Sequence, residues 1–275
     1  MFQKAEKKKL KLRLAIDGAS GSGKTWGALT VASSLGGKVA VIDTEHGSAS
    51  LYSDRFNFDV MEITDNFAPS KYIAGIKAAE QAGYEVLVID SLSHEWEGPG
   101  GCLDMQTKLG GRYTDWGKVT PQHDAFIQAI LGCNMHVIAT MRTKAEYVIE
   151  KNANGKDSPR KVGTVPKQRD GLEYEFTAVF NLSQQHMASV SKDRTGLFDG
   201  RDFILDSSVG KSLMTWLDAG IETVIQDYEA LLLSCTTMNQ LREVWITIPS
   251  NQRESYEACK EGVKTQLALV QDAAA

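Results

Sequence analysis

The chain has 275 residues, a formal net charge of −5, 42% hydrophobic and 24% charged residues. That length suits one large α/β domain, or one domain with a small appendage, and the composition is that of a soluble globular protein. No apolar run approaches the ~20 residues that span a bilayer, which argues against a membrane protein, and the mild acidity disfavours a surface that coats nucleic acid all round.

The N-terminal stretch "MFQKAEKKKLKLRLAID" is rich in lysine but has no apolar segment leading to a small-residue cleavage site. No secretory signal is expected, and a cytoplasmic location is. The four cysteines, Cys102, Cys133, Cys235 and Cys259, form no C-x-x-C pair. A disulfide framework or a zinc knuckle is therefore not expected.

The first strand is predicted in "LRLAI", Leu12 to Ile16, followed by G-x-x-x-x-G-K-T from Gly18 to Thr25 and a helix carrying Ala28, Val31, Ala32 and Leu35 at helical spacing. Glycines there let backbone N–H groups turn inward around phosphate oxygens at a helix N-terminus, where the dipole favours negative charge. Gly18, Ala19, Ser20, Gly21, Ser22, Gly23, Lys24, Thr25 and Trp26 are thus predicted to hold a nucleotide. Lys24 is placed on the β- and γ-phosphates and the Thr25 hydroxyl on Mg²⁺.

The second strand, "KVAVID", runs into two acids, Asp43 and Glu45. Asp43 and Thr44 could simply satisfy backbone N–H groups in the turn. A third strand, Val86 to Ile89, ends in Asp90 and Ser91, and Asp90 fits the acid that orients Mg²⁺ in a P-loop protein. Hydrolysis also needs a group that orients or deprotonates water, and the candidates are Glu45 and Glu95. Strand ends meet at the carboxyl edge of a doubly wound sheet, where ligands bind, which favours Glu45.

Five segments, "GASGSGKT", "VIDTEHGSASLY", "VLVIDSL", "HVIATMRTK" and "VSKDRTGLF", occur in this order. The set resembles the ATPase core of RecA-type recombinases, and most of all the small phage-encoded RecA-like ATPases of single-strand annealing and recombination, over roughly residues 11–203. The resemblance implies a doubly wound α/β P-loop core that hydrolyses ATP with Mg²⁺ in the cytoplasm of a bacterial host. It implies that Glu45 is the catalytic acid and that Tyr52 stacks on adenine. Thr140 stands where the family carries a glutamine that senses the γ-phosphate, and a hydroxyl reaches less far. Coupling to the following loop would then pass to Arg142. Lys192 and Arg194 stand where the family offers two cations across the subunit interface. Without the other segments they would read as exposed charges on a hairpin turn.

Two segments are candidates for single-stranded DNA. The glycine-rich "HEWEGPGGCLDMQTKLGGRYTDW" is long for a βα connection and carries Trp96, Arg112 and Trp116. The stretch from Arg142 to Arg169 holds Arg142, Lys144, Lys156, Arg160, Lys161, Lys167 and Arg169. Cations with aromatic rings track phosphates and stack bases without reading sequence. The alternative is that the tryptophans are core and that the second segment is a hairpin around "NANGKD" with a solvated basic tip.

The expected organisation is an N-terminal segment (1–11), an ATPase core (12–211) and a helical C-terminal appendage (212–275). Apolar residues at helical spacing, such as Leu241, Val244, Trp245 and Ile248, mark the last. Phe2 and Ala5 are similar to the Phe-x-x-Ala segment through which archaeal and eukaryotic RecA-like recombinases polymerise, so a ring or filament of identical subunits is expected. A single-stranded-DNA-binding protein is a further candidate partner. The rival readings are a helicase, loader or remodelling motor of the same core, and an ATP-dependent switch that binds protein rather than DNA.

Overall fold

A computed structural model describes all residues except 1–3, 5, 152–156, 221–227, 249–252 and 274–275. Side chains at 147–148, 150–151, 157–162, 254 and 269–273 also fall outside the description. In chain order the elements are β1 (Arg13–Gly18), α1 (Lys24–Leu35), β2 (Val39–Asp43), β3 (Asp59–Glu62), α2 (Pro69–Gln81), β4 (Val86–Asp90), α3 (Ser93–Glu97) and α4 (Cys102–Lys108). There follow α5 (Trp116–Gly132), β5 (His136–Lys151), β6 (Asp157–Pro166), β7 (Ala178–Leu182), β8 (Met187–Asp193), β9 (Phe203–Ile204), α6 (Ser207–Asp218), α7 (Tyr228–Leu233), α8 (Met238–Thr247) and α9 (Arg253–Ala273). Short 3-10 turns lie at Ala49–Tyr52, Tyr113–Asp115 and Leu172–Glu175.

Among the described residues nine strands make one α/β sheet in the order β3-β2-β4-β5-β1-β7-β8-β9, with β6 paired to β5. The pairings from β3 to β7 are parallel, and β8, β9 and β6 join antiparallel. Strands β1, β2 and β4 are buried at every position, as expected where helices cover both faces of a parallel sheet. Alternation along them divides two cores. Leu14, Ile16, Val39, Val41, Val86 and Val88 pack with α1 and α6. Ala15, Ala40, Ile42, Leu87 and Ile89 pack with α2 and α5 on the other face.

Between these layers lies a buried cation. Arg13 donates to the carbonyls of Leu12, Met135, Leu131 and Cys133 at 2.7–3.0 Å. The last two stand at the C-terminal end of α5, where the helix dipole favours a cation.

The chain separates into compact units at residues 1–221 and 222–275. The division corrects the boundary expected at residue 212. Helix α6 buries Val209, Leu213 and Leu217 against α1 and belongs with the sheet. Its C-terminal turn also meets the lysine-rich N-terminal segment, since Lys7 Nζ donates to the Trp216 carbonyl and lies over the Trp216 ring. The second unit, α7 to α9, has a small core of its own around Leu232, Leu241, Ile248 and Val263. Thr237 caps α8 by accepting from the Gln240 N–H. No described helix is long and apolar enough to cross a membrane.

Candidate nucleotide site

The site is built at the edge of the sheet where the parallel strands β1, β2 and β4 end, with β5 running between β4 and β1. The P-loop turns back between β1 and α1 because Gly21 and Gly23 adopt positive φ of 77° and 87°, conformations that disfavour a side chain. Gly18 is required for another reason. A Cβ there would lie 2.7 Å from the Leu182 carbonyl oxygen of the neighbouring β7. Lys24 Nζ reaches across the loop to the Ala19 carbonyl at 2.9 Å. Burial lowers its pKa, opposed by the nearby charges of Asp90 and Glu45.

Asp90 is 2% exposed, and its carboxylate accepts one hydrogen bond from the Thr25 hydroxyl at 2.6 Å and another from the Thr140 hydroxyl. Burial pushes its pKa up, and the two hydroxyls pull against that. A buried carboxylate facing a hydroxyl at the P-loop is an oxygen donor set suited to Mg²⁺. Thr25 and Asp90 would hold the ion, which when bound supplies charge neutralisation for the phosphates. Thr140 therefore sits on Asp90, where its hydroxyl is committed.

The two acids at the end of β2 have different tasks. Asp43 is fully buried and accepts from the Glu45 N–H at 2.6 Å and the Ala49 N–H at 2.9 Å, so it shapes the loop that presents Glu45. Glu45 accepts from Ser91 Oγ at 3.2 Å. It is also held in a fork by Arg142, whose Nε donates to Oε1 at 2.8 Å and whose Nη2 bonds Oε2. Burial alone would raise the Glu45 pKa, but the Arg142 hydrogen bonds and charge bring it below the ordinary value. Glu95, the rival, is fully buried. Its carboxylate accepts from Cys102 Sγ at 3.1 Å and Gln168 Nε2 at 3.2 Å and pairs with His123 Nδ1 at 3.0 Å. These three partners saturate it and knit α3, α4 and α5 together.

Beside the P-loop opens a cleft of about 600 Å³, lined among others by Trp26, Tyr52, Leu182, Gln185, His186 and Leu205. Tyr52 meets Trp26 edge-on at 5.5 Å, and Phe56 meets it at 4.9 Å. This is an aromatic wall next to the phosphate loop, where the sequence expectation put adenine against Tyr52. His186 was not foreseen. It has φ of 63° on the β7–β8 turn and its Nδ1 lies 3.0 Å from the Ser22 carbonyl, so the turn is pinned to the P-loop. No spacing rule links residues that far apart in the chain.

The glycine-rich segment after β4 is helical rather than an open loop. It folds as α3, α4 and a 3-10 turn before α5. The segment after Arg142 is a long hairpin of β5 and β6. Trp96 and Trp116 stack on each other at 5.3 Å and 14°. With Tyr113, Lys144, Gln168 and Arg169 they line an open cleft of about 890 Å³. Several of the expected DNA-binding cations have carboxylate partners: Arg112 with Asp115, Lys167 with Glu97, Arg169 with Asp124, and Arg142 with Glu45. Lys156 lies outside the described residues, as do the side chains of Arg160 and Lys161, and Phe2 and Ala5.

Lys192, half-buried, donates to the carbonyls of Glu173 and Tyr174, and the exposed Arg194 donates to that of Tyr174. Register places them far from their own P-loop. Lys192 pairs with Val179, which pairs with Ala15, and the Arg194 N–H bonds Thr177, whose own N–H bonds Arg13. Gly18 is three to five residues further along β1, roughly 10–17 Å at strand rise.

The sheet order, the P-loop at the end of the central strand β1 and Asp90 at the end of β4, one strand removed across β5, together define a P-loop nucleotide hydrolase. Residues 10–215 match the family described as AAA domain, and the chain belongs to that family of P-loop ATPases. No individually curated protein matches the sequence.

Proposed function

We propose that the chain is a RecA-like, Mg²⁺-dependent ATPase that binds single-stranded DNA as an oligomer and acts in strand annealing or pairing during phage recombination. Glu45 is the group that activates water, Tyr52 packs on the base, and Lys192 and Arg194 reach the nucleotide of a neighbouring subunit. The observation that carries the DNA reading is the open cleft in which Trp96, Trp116 and Tyr113 stand beside Lys144 and Arg169. Aromatic faces next to cations are the chemistry of sequence-tolerant single-strand binding. Tyr113 is 90% exposed, so its ring face is open to a base at the edge of that cleft.

One observation favours a second reading, an ATP-dependent switch that binds protein. The pairing of Arg112, Lys167 and Arg169 with carboxylates leaves less net positive potential than the count of cations suggests. ATPase assays with and without oligo(dT), alongside a duplex-unwinding assay, separate the readings. Stimulation without unwinding is expected. Unwinding would support a motor, and no response to DNA would support the switch. Tyr113→Ala should weaken oligo(dT) binding by roughly 5- to 100-fold, the range for one lost base stack.

A further inference from the structure

The knot around Glu95 brings a carboxylate, a thiol and an imidazole together in a place that neither the nucleotide site nor the proposed DNA cleft uses. Glu95 stands on α3, Cys102 opens α4 and His123 lies in the middle of α5. Glu95 and Cys102 are fully buried and His123 is 3% exposed. One carboxylate oxygen, the sulfur and one ring nitrogen all lie within 4.8 Å of one another. The short contacts converge on Oε1 of Glu95, with Cys102 Sγ at 3.1 Å and His123 Nδ1 at 3.0 Å. Gln168 Nε2 holds the other oxygen at 3.2 Å and is itself tied to the Leu92 carbonyl at 3.0 Å, so the carboxylate keeps Oε1 turned towards sulfur and nitrogen. Trp96 meets His123 edge-on at 5.4 Å and stacks on Trp116.

Hydrogen bonds satisfy the carboxylate oxygens but not the charge. With the thiol protonated and the imidazole neutral, the three side chains carry one negative charge out of reach of solvent, and a buried charge is ordinarily paired or bound to a metal. A proton on the imidazole would balance it, and so would a cation. The sulfur separates the two. A thiol is a weak hydrogen-bond donor, whereas a thiolate is a strong ligand for a borderline-soft ion such as Zn²⁺. In a tetrahedral zinc site, sulfur, nitrogen and oxygen donors at ordinary bond lengths stand about 3.4–3.6 Å apart, so the contacts to Oε1 need open by only about half an ångström. Mg²⁺ takes oxygen donors, which sets this cluster apart from Thr25 and Asp90. The lack of a C-x-x-C pair excludes a zinc knuckle, but not a site of mixed donors drawn from three helices.

We propose that Glu95, Cys102 and His123 form a structural zinc site, with a water completing the four ligands. Binding exchanges hydrogen for the ion and transfers no electron. The Cys102 thiol loses its proton to solvent as the S–Zn bond forms. The hydrogen on His123 Nδ1 is replaced by one on Nε2 through exchange with water, so a neutral imidazole ligates through Nδ1. Glu95 Oε1 gives up two hydrogen bonds for one metal bond, and Gln168 stays on Oε2. The three side chains and the ion are then neutral together. The ion clasps α3, α4 and α5, the helices that carry Trp96 and Trp116, and its binding does not depend on what the cleft beside those rings takes.

The test uses the full chain without an affinity tag, stripped with a chelator, freed of nucleotide and titrated with Zn²⁺ or Co²⁺. Wild type and Cys133→Ser should take up about one ion per chain with release of about one proton, while Cys102→Ser and His123→Asn should retain less than about a tenth of an ion after gel filtration. Co²⁺ should give wild type a thiolate-to-cobalt charge-transfer band and tetrahedral visible bands, and the charge-transfer band should be missing from Cys102→Ser. Zn²⁺ at a hundredfold excess over its Kd should raise the melting temperature of wild type by roughly 5–10 °C and leave Cys102→Ser unmoved. Circular dichroism shows whether the variants fold. If they do not, X-ray absorption at the zinc edge of the wild type decides, with about one sulfur and three nitrogen or oxygen neighbours expected. A wild type that takes up neither ion at micromolar concentration, a cobalt charge-transfer band that survives Cys102→Ser, or a zinc shell with no sulfur or more than one overturns the proposal.

Discussion

Replacing Thr140 by valine removes a hydroxyl while keeping the shape of the side chain, and it isolates what that hydroxyl does for Asp90. The Asp90 carboxylate is 2% exposed and accepts from two hydroxyls, those of Thr25 and Thr140. Loss of a hydrogen bond to a charged, buried group costs about 1.5–3 kcal/mol. For a unit of this size each kcal/mol is about 2–4 °C of Tm, so Thr140→Val should melt roughly 3–12 °C lower near pH 8. The deficit should depend on pH in a defined direction. Burial already raises the Asp90 pKa, and losing a hydroxyl raises it further. Protonation removes the charge that misses its donor, so the deficit should shrink as pH falls. It should also shrink when Mg²⁺ and nucleotide together place a cation beside Asp90, but not with nucleotide and EDTA. Differential scanning fluorimetry at pH 5.5 and pH 8, with those additions, measures all of this. A drop below about 1 °C at pH 8, or one equal at both pH values, would refute the assignment of Thr140 to Asp90.

Burial raises the pKa of Asp17 to about 6, against the hydrogen bond from Asn181 and the charge of Lys24. Between 3.8, its ordinary value, and about 6 the folded chain keeps a proton that the unfolded chain has released, so stability declines as pH rises through that window. The full shift corresponds to about 3 kcal/mol, and Asp17→Asn should recover part of it in urea denaturation at pH 8 and little at pH 4.5. Equal gains at both pH values would contradict this origin. Assembly is tested by Phe2→Glu, which should keep ATP binding while lowering both the light-scattering mass and the ATPase rate, because on the proposed reading Lys192 and Arg194 act on the nucleotide of a neighbouring subunit. Unchanged mass and rate would assign assembly to other surfaces.

The parts of the molecule legible in the sequence are those governed by local rules. The runs "LRLAI", "VAVID" and "VLVID" alternate between two cores and end at the phosphate loop, and glycines at Gly18, Gly21 and Gly23 report a turn that only they can make. What escaped depends on contacts between distant residues. Arg142 reads as a cation of the basic stretch and, by resemblance, as a link to the following loop, but its pairing with Glu45, 97 residues away, leaves no local signal. His186 belongs to a hairpin turn whose proximity to Ser22 is set by the pairing of β7 with β1. The segment after β4 reads as a loop because α3 and α4 are five and seven residues long, too short for helical periodicity to show, and are separated by Gly98, Gly100 and Gly101. They are held instead by the buried knot of Glu95, Cys102, His123 and Gln168. Helix α6 joins the sheet's core along its whole length, and only its burial against α1 shows that the helical appendage begins later.

The central claim is that Glu45 activates water while Lys24, Thr25 and Asp90 hold the nucleotide and its metal. Glu45→Gln preserves the shape of the side chain but removes the base, and leaves one oxygen instead of two to accept from Arg142. Its nucleotide affinity, measured with a fluorescent ATP analogue, and its turnover, measured by phosphate release from the same preparation, should separate. Affinity should stay within a few-fold of wild type, and turnover should fall about 100-fold or more, as expected for loss of a general base. A Glu45→Gln protein that binds ATP and hydrolyses it at the wild-type rate would contradict the account.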